Sequence, residues 1–186
     1  MPDTIFILCG GASSRMGADK ALLPVDRISM LKRITERCRK YFKHCKLLSG
    51  TQEYELPYQH IPDYIADTGP LGAIAGGLQH HRGSEITVIP VDMPLLEDAT
   101  LRFLSRVSIP ENIKALLGTN KSRLHPLVGI YHKDILTNLK IYLDGGNRSV
   151  RGFLQQIPTR TFELTDKESL NANTPDEYQN ALNEIG

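Results

Sequence analysis

Tryptophan is absent from this 186-residue sequence, cysteine is scarce and net charge is almost nil. Twenty-two lysines and arginines against 21 aspartates and glutamates give a formal charge of +1, which argues against a polybasic nucleic-acid-binding protein and against an acidic disordered chain. The three cysteines, Cys9, Cys38 and Cys45, are odd in number and lack the paired spacing of a zinc site. We therefore expect reduced thiols and no nucleic-acid partner.

Long apolar runs are also missing. The first run, from Ile5 to Cys9, is far shorter than the ~20 residues that cross a bilayer, and no charged-then-apolar leader precedes it. We expect a soluble cytoplasmic protein without a membrane partner. Because 40% of the residues are hydrophobic and no repeat or Pro/Gly/Ser-rich linker divides the chain, residues 1–186 are expected to form a single domain.

Short apolar runs alternate with helical patterns along the chain, which is typical of an α/β protein with a mostly parallel central sheet flanked by helices. The predicted strands are Thr4–Cys9, Lys46–Ser49, Tyr58–Ile61, Ile86–Pro90, Lys114–Gly118, Leu127–Tyr131 and Thr161–Leu164. The predicted helices are Met30–Lys43, Pro70–His81, Glu97–Val107, Lys133–Leu143, Val150–Gln156 and Pro175–Glu184.

A glycine-rich segment follows the first predicted strand and reads Cys9-Gly10-Gly11-Ala12-Ser13-Ser14-Arg15-Met16-Gly17-Ala18-Asp19-Lys20. Backbone N–H groups in such a loop can approach a phosphate chain closely, while Arg15 and Lys20 neutralise it. The segment lacks the spacing of a Walker loop and of a dinucleotide-binding loop. A purely structural turn would explain the glycines but would leave Arg15 and Lys20 without a role.

Asp92 follows the predicted strand Ile86–Pro90, and ligands of open parallel sheets gather at the carboxyl ends of strands. Magnesium takes one or two carboxylates and completes its shell with phosphate oxygens and water. We therefore expect Asp92 to be a magnesium ligand. The alternative is a helix cap or turn residue before Pro94.

The segment from Gly10 to Leu23 resembles the opening motif of the molybdenum cofactor guanylyltransferases, Gly-Gly-x-Ser-x-Arg-Met-Gly-x-Asp-Lys-x-Leu-Leu, at every specified position. Five further segments resemble that family in the same order along the chain. They are Asp67-Thr68-Gly69-Pro70-Leu71-Gly72, Pro90-Val91-Asp92-Met93-Pro94, His125-Pro126, Gly146-Asn147-Arg148-Ser149-Val150-Arg151 and Asn171-Ala172-Asn173-Thr174-Pro175.

The resemblance implies a three-layer, Rossmann-like nucleotidyltransferase fold and an enzyme that transfers GMP from GTP to the terminal phosphate of molybdopterin. The products would be molybdopterin guanine dinucleotide and pyrophosphate, with Mg²⁺ as cofactor. The N-terminal half would bind the nucleotide and the C-terminal half the acceptor. GTP, the molybdenum cofactor and molybdoenzyme-maturation proteins are the partners it implies.

The same resemblance assigns roles to individual residues. Arg15, Lys20 and Asp92 would be catalytic, and Asp92 would also bind the metal. The nucleotide would contact Leu8, Cys9, Gly10, Gly11, Lys20, Asp67 and Asp92, and the acceptor would contact Arg148, Arg151, Asn171 and Asn173. Simpler interpretations stay open: Asp67 as a helix cap, the two arginines as part of a helical N-terminal turn, and the two asparagines as turn formers.

Base choice is a separate question, because cytidylyl relatives usually carry Ala-Ala-Gly where this chain has Cys9-Gly10-Gly11. We hypothesise that the missing Cβ atoms at Gly10 and Gly11 let the edge of the larger purine meet backbone donors and acceptors. Ser49 replaces an asparagine that often contacts the nucleotide in relatives, so its role is open. Two alternative functions stay open. One is nucleotidyl transfer from CTP, or to a sugar or polyol phosphate, and the other is GTP binding without turnover.

Overall fold

The structure is a computed structural model that describes residues 2–10, 19–121 and 123–185. The strands are β1 (Thr4–Leu8), β2 (Pro24–Val25), β3 (Ile28–Ser29), β4 (His44–Leu48), β5 (Gln59–Ile61), β6 (Glu85–Pro90), β7 (Ala115–Asn120), β8 (Arg123–His132) and β9 (Thr159–Glu163). The helices are α1 (Met30–Cys38), α2 (Pro70–His80), α3 (Asp98–Leu104), α4 (Leu136–Asp144), α5 (Val150–Leu154) and α6 (Pro175–Ile185).

Seven strands form one sheet in the order β5-β4-β1-β6-β8-β7-β9. Only β8 runs against its two neighbours within that sheet, and the other neighbouring pairs are parallel. The predicted mostly parallel α/β sheet is therefore confirmed. Because parallel strands share a direction, the carboxyl ends of β1, β4, β5, β6, β7 and β9 lie along one edge, where the loops carrying the predicted site residues begin.

Side chains of β1 show how the sheet separates two cores. Ile5 and Ile7 belong to one buried cluster, together with residues of α1 and α3. Phe6 and Leu8 belong to a second cluster, together with residues of α2, α4 and α5. The period-two alternation of a strand places these neighbours on opposite faces, so the protein has the expected three layers. Within the described residues, no helix is long and apolar enough to cross a membrane.

The predicted helix Met30–Lys43 is too long, since α1 ends at Cys38. Arg39 follows as its C-cap, and a turn then closes through the Phe42 N–H, which donates to the Cys38 carbonyl at 2.9 Å. The chain must reverse here because the His44 N–H already donates to the Asp3 carbonyl beside β1, at 2.9 Å. The apolar spacing of Tyr41 and Phe42 fits a helix but belongs to this turn.

One further helix prediction is corrected, and one hairpin was missed. The segment predicted as one helix over Lys133–Leu143 is a 3-10 turn, Lys133–Ile135, followed by α4. The short hairpin of β2 and β3 was not predicted. Its turn residues Asp26 and Arg27 have φ values of 50° and 68°, the conformation of a two-residue hairpin turn that glycine or asparagine usually occupies. Neither residue carries that signal.

Candidate active site

The chain leaves β1 at a close approach to β4. The N–H groups of Cys9 and Gly10 both donate to the Leu48 carbonyl, each at 3.1 Å. A Cβ atom on Gly10 would lie 2.5 Å from both the carbonyl carbon and the oxygen of Ser49, so a larger residue would force the main chain to shift. Gly11 and Arg15, two of the predicted site residues, lie outside the described part of the chain.

This geometry corrects the base-choice hypothesis at Gly10. The space that its missing Cβ leaves is filled by the main chain of Ser49, not left open for a purine. The Ser49 side chain is buried, and its hydroxyl lies 3.1 Å from His60 Nδ1. The Ser49 side chain therefore connects the end of β4 to β5.

Tyr54 links the end of β1 to Asp19, which follows the glycine-rich segment in the sequence. Its buried hydroxyl lies 2.8 Å from the Cys9 carbonyl oxygen and 3.0 Å from Asp19 Oδ2. Asp19 Oδ1 in turn accepts a 2.9 Å hydrogen bond from the Ala21 N–H and caps the 3-10 turn Lys20–Leu22. Burial raises the pKa of Tyr54, so its hydroxyl stays a proton donor. No spacing pattern in the sequence indicates a role for this residue.

Lys20, Asp92 and Asn173 meet at the carboxyl edge of the sheet. Lys20 Nζ donates to Asn173 Oδ1 at 2.6 Å and lies 3.6 Å from Asp92 Oδ2. The side chains of Lys20 and Asp92 are only 19% and 23% exposed. Three predicted residues from three distant segments are therefore in contact. The ammonium joins the carboxylate that follows β6 to the amide that precedes α6.

Desolvation dominates the electrostatics of Asp92. Burial raises the pKa of this carboxyl, the Lys20 ammonium opposes the rise, and Glu177 adds to it. A poorly hydrated carboxylate gains most from a new cation, because water screens the attraction little. Asp92 is a turn residue and not a helix cap, since the N-cap of α3 is Glu97.

The Asn171–Asn173 segment is anchored directly to Asp92. The N–H of buried Ala172 donates to the Asp92 carbonyl at 2.8 Å. On its other side, Thr174 Oγ1 accepts from the Glu177 N–H at 3.2 Å, and the Asn173 N–H donates to Glu177 Oε2 at 2.9 Å. These contacts form a helix-capping arrangement at the start of α6, which holds Asn173 toward Lys20.

Asp67 lies on the loop between β5 and α2 and is exposed. It does not cap α2, because the N-cap is Gly69 and receives no side-chain hydrogen bond, so that alternative is wrong. Asp67 has a φ of 59°, a left-handed conformation that aspartate tolerates better than most residues. Its predicted contact with the nucleotide stays a prediction.

Asp63 was not predicted, although it directly follows the carboxyl end of β5 and Pro62. Burial, and secondarily the charge of Asp67, raise its pKa to about 6. Its carboxyl group faces Gly50, where an added Cβ would lie 3.7 Å from Asp63 Oδ1. A half-buried carboxyl at this edge is a polar group of the candidate site. The available signal was its place just after a predicted strand, as for Asp92.

The turn between α4 and α5 carries Arg148, and α5 carries Arg151. Both side chains are exposed, and the Arg148 Nη1 donates to the carbonyls of Leu143 and Asn147 at 2.8 and 2.7 Å. Topology brings this turn to the carboxyl edge, because β8 ends beside the start of β6 and α4 runs back from there. In the described structure neither arginine hydrogen bonds to Asp92, so they do not join the central contact.

The residues present fit a divalent cation held by one carboxylate. Asp92 is desolvated and lies at the strand end where phosphate ligands gather. Across residues 2–10, 19–121 and 123–185, no three acidic, histidine or cysteine side chains cluster as a full protein-only metal site. Such a site suits a cation that takes most of its ligands from a triphosphate and water.

A glycine-rich segment after β1, a lysine beside a partly buried aspartate after β6 and a mostly parallel sheet together define a nucleotidyltransferase. The profile of the MobA-like NTP transferase domain matches residues 5–160, and the chain belongs to that family. A probable molybdenum cofactor guanylyltransferase from Flavobacterium johnsoniae is 32% identical over 184 residues, which cover 97% of this chain and 96% of the relative. A molybdenum cofactor guanylyltransferase from Campylobacter jejuni is 27% identical over 183 residues, covering 96% and 95%.

Solved structures support the same fold. Molybdopterin-guanine dinucleotide biosynthesis protein A from Archaeoglobus fulgidus superposes with a TM-score of 0.83 at 20% identity and covers 98% of both chains. A Mycobacterium tuberculosis protein crystallised as a complex with manganese gives a TM-score of 0.69 at 18% identity, covering 97% of both chains. At these identities the similarity establishes the fold alone.

Proposed function

We propose that this protein transfers GMP from GTP to the terminal phosphate of molybdopterin, forming molybdopterin guanine dinucleotide and pyrophosphate. The observation that carries the proposal is the contact of Lys20 with both Asp92 and Asn173. It brings a predicted nucleotide residue and a predicted acceptor residue to one ammonium group. The relatives named molybdenum cofactor guanylyltransferase support the choice of substrates.

The chemistry requires positioning and charge neutralisation more than proton transfer. An oxygen of the acceptor phosphate bonds to the α-phosphorus of GTP, and the bond from that phosphorus to the bridging oxygen breaks to release pyrophosphate. The attacking oxygen is already ionised near neutral pH, so no general base is needed. Lys20 is mostly shielded from water, where a cation stabilises developing phosphate charge most effectively.

We further propose that Asp92 holds Mg²⁺. When bound, the cation would neutralise triphosphate charge and orient the phosphates. The ionised form of Asp92 is needed for this role, and Lys20 favours that form against the effect of burial. Lys20 therefore acts both on the nucleotide and on the carboxylate that would hold the metal.

The remaining assignments are part of the same proposal. Leu8, Cys9, Gly10, Gly11 and Asp67 would line the nucleotide site, and Arg15 would bind phosphate. Asn171, Asn173, Arg148 and Arg151 would contact the acceptor. The division of residues 1–186 into a nucleotide half and an acceptor half, the cytoplasmic location and the maturation-protein partners stay predictions.

Pyrophosphate release tests the proposal directly. Purified protein with Mg–GTP should release pyrophosphate only when molybdopterin is added, in a one-to-one ratio with the dinucleotide detected by chromatography. Mg–CTP is the control, since a cytidylyltransferase would prefer it. GTP binding without pyrophosphate release in the presence of molybdopterin would favour a non-catalytic binding protein and contradict the proposal.

A further inference from the structure

Glu168 is a buried carboxylate in the loop between β9 and α6, and only 2% of the residue is exposed. Its Oε2 accepts a 2.9 Å hydrogen bond from the Thr165 N–H, while its own N–H donates to Thr165 Oγ1 at 3.1 Å. This reciprocal pair is a capping box, which stabilises a single helical turn from both directions. The capping box uses one carboxylate oxygen and leaves the other available.

The second oxygen reaches a different loop. Glu168 Oε1 accepts a 3.0 Å hydrogen bond from the N–H of Glu97, the N-cap of α3, which ends the loop that carries Asp92. The Thr165 hydroxyl supports the same junction by donating to Glu97 Oε1 at 3.2 Å. A single buried side chain therefore links the loop after β6 to the loop after β9.

A second link joins the same two loops closer to the chemistry, where the Ala172 N–H donates to the Asp92 carbonyl at 2.8 Å. Asn171 and Asn173 flank Ala172. Hydrogen bonds thus connect the two loops at two points. They restrict the position of the segment between Glu168 and Ala172 along the loop that carries Asp92. Its register decides where the two asparagine side chains stand relative to Asp92.

We propose that Glu168 is a positioning residue that sets the distance between Asp92 and the Asn171–Asn173 segment. This inference rests on the proposed function, in which Asp92 serves the nucleotide and the asparagines serve the acceptor. Glu168 acts only through those residues. Its loss should therefore impair acceptor binding and alignment, while the nucleotide, bound by the first half of the chain, should bind almost as before.

Glu168→Gln is the informative substitution because it keeps the size of the side chain. A glutamine side chain has one acceptor oxygen, whereas the N–H groups of Thr165 and Glu97 both need an acceptor. In either orientation its NH₂ group faces one of these two N–H groups, so one of the two hydrogen bonds is lost. We expect kcat/KM for molybdopterin to fall about 10²-fold, the cost of a small misplacement of reacting groups, with a raised KM for molybdopterin. The Kd of Mg–GTP should change less than about twofold.

Glu85→Gln is a matched control at the opposite edge of the sheet. Glu85 Oε1 also accepts a backbone hydrogen bond, from the Ile109 N–H at 3.0 Å, but it lies at the start of β6. The glutamine oxygen can still accept that single hydrogen bond, so Glu85→Gln should keep the wild-type KM for molybdopterin. A merely structural role for Glu168 would make Glu168→Gln lose stability and active fraction without a change in that KM. Rates are therefore normalised to folded protein.

Glu97 offers an independent test if Glu168→Gln does not fold. Glu97 has a φ of −78°, close to the value that proline imposes, so Glu97→Pro removes the N–H that Glu168 accepts. Glu97→Ala keeps that N–H and removes only the side chain. We expect Glu97→Pro to have a higher KM for molybdopterin than Glu97→Ala, as Glu168→Gln has relative to the wild type. Adding Glu97→Pro to Glu168→Gln should raise the KM little further, because both substitutions break the same hydrogen bond.

The outcomes separate this inference from the proposed function. If the wild-type protein forms no dinucleotide, the proposed function fails. If the wild type is active, the positioning role is overturned by either of two results, each measured per folded molecule. One is that Glu168→Gln leaves the KM and kcat for molybdopterin unchanged. The other is that Glu97→Pro and Glu97→Ala do not differ in these two constants. A raised KM in Glu85→Gln of equal size would overturn it as well.

Discussion

Lys20 and Asn173 are 153 residues apart in the sequence, yet Lys20 Nζ lies 2.6 Å from Asn173 Oδ1. The loop after the first strand and the segment before the last helix therefore meet at one ammonium group. Asp92, from the middle of the chain, lies 3.6 Å from the same nitrogen. A change at Lys20 should consequently affect nucleotide binding, the state of Asp92 and the position of Asn173 together.

Lys20→Met removes the charge and keeps most of the side-chain volume. We expect kcat to fall by about 10²–10³-fold, as is typical when one preorganised charge or donor at a reacting phosphate is lost, and the Kd of Mg–GTP to rise. Dinucleotide formation and equilibrium nucleotide binding measure the two effects. The circular dichroism spectrum should stay that of the wild type.

Lys32→Met is the control for this substitution. Lys32 is half exposed, and its ion pair with Glu36 is 4.0 Å long, a kind of contact that contributes little. Its removal should leave turnover unchanged. Wild-type turnover in Lys20→Met, or an equal loss in both variants, would contradict the role of Lys20.

Gly10→Ala should damage the fold and not the choice of base. The new Cβ would overlap the main chain of Ser49 at 2.5 Å, and the backbone there is held by hydrogen bonds to Leu48. We expect a loss of about 1–3 kcal/mol in the free energy of unfolding, measured by urea denaturation, and reduced turnover with every nucleotide. An altered GTP-to-CTP preference at wild-type stability would instead restore the base-choice hypothesis at this glycine.

The sequence predicted those parts of the site that follow from local pattern. A buried apolar strand that ends in a polar residue indicates the carboxyl edge of a parallel sheet, and this reasoning found Asp92 correctly at that edge. The glycine-rich segment predicted a close approach of backbone, and Gly10 makes one, although to Ser49. Family resemblance added Asn173, whose contact with Lys20 no local pattern indicates.

The sequence could not predict contacts made only by tertiary packing. Tyr54 and Glu168 each bridge segments that are distant in sequence, and neither stands at a recognisable spacing from its partners. The local half of the Glu168 arrangement was visible as Thr165-x-x-Glu168, a capping box. Its second oxygen, which reaches Glu97, depends on how two loops come together and has no signature in the chain.

Asp63 should give the protein a stability that depends on pH. Its pKa of about 6 in the folded protein lies above the ~3.9 of an unfolded aspartate. The protonated form is therefore favoured by folding, and this contribution is complete below about pH 4 and lost as the pH rises through 6. Asp63→Asn should raise Tm by about 2–4 °C at pH 8, equivalent to ~1 kcal/mol, and change it little at pH 4.

Asp67→Asn is the companion variant, because the charge of Asp67 is the second cause of the raised pKa of Asp63. Asparagine tolerates the positive φ at this position, so strain does not obscure the result. We expect a smaller rise in Tm at pH 8 than in Asp63→Asn. Equal Tm differences from wild type at pH 4 and pH 8 for Asp63→Asn would contradict the pKa shift as their cause.

Arg148 and Arg151 should have different effects, because the Arg148 side chain hydrogen bonds to the described part of the fold and the Arg151 side chain does not. Arg148 donates to the Leu143 carbonyl near the C-terminal end of α4, where a cation contributes about 0.3–1 kcal/mol, so Arg148→Ala should lower Tm by about 1–3 °C. Arg151 is exposed and makes no side-chain hydrogen bond or ion pair with the described residues. Arg151→Ala should therefore leave Tm unchanged.

If Arg151 receives the phosphate of the acceptor, Arg151→Ala should raise the KM for molybdopterin about tenfold, because a charge-assisted contact to phosphate is lost. The wild-type KM should rise with salt, and the variant's KM should rise less steeply. Arg160→Ala is the control, since Arg160 is an exposed arginine on β9 and has no assigned contact with substrate. If the KM for molybdopterin is the same in wild type, Arg151→Ala and Arg160→Ala, Arg151 is not part of the acceptor site. The Arg151 side chain makes no hydrogen bond or ion pair with the described residues that would stabilise the fold, so an unchanged KM would leave it without a measurable role in binding as well.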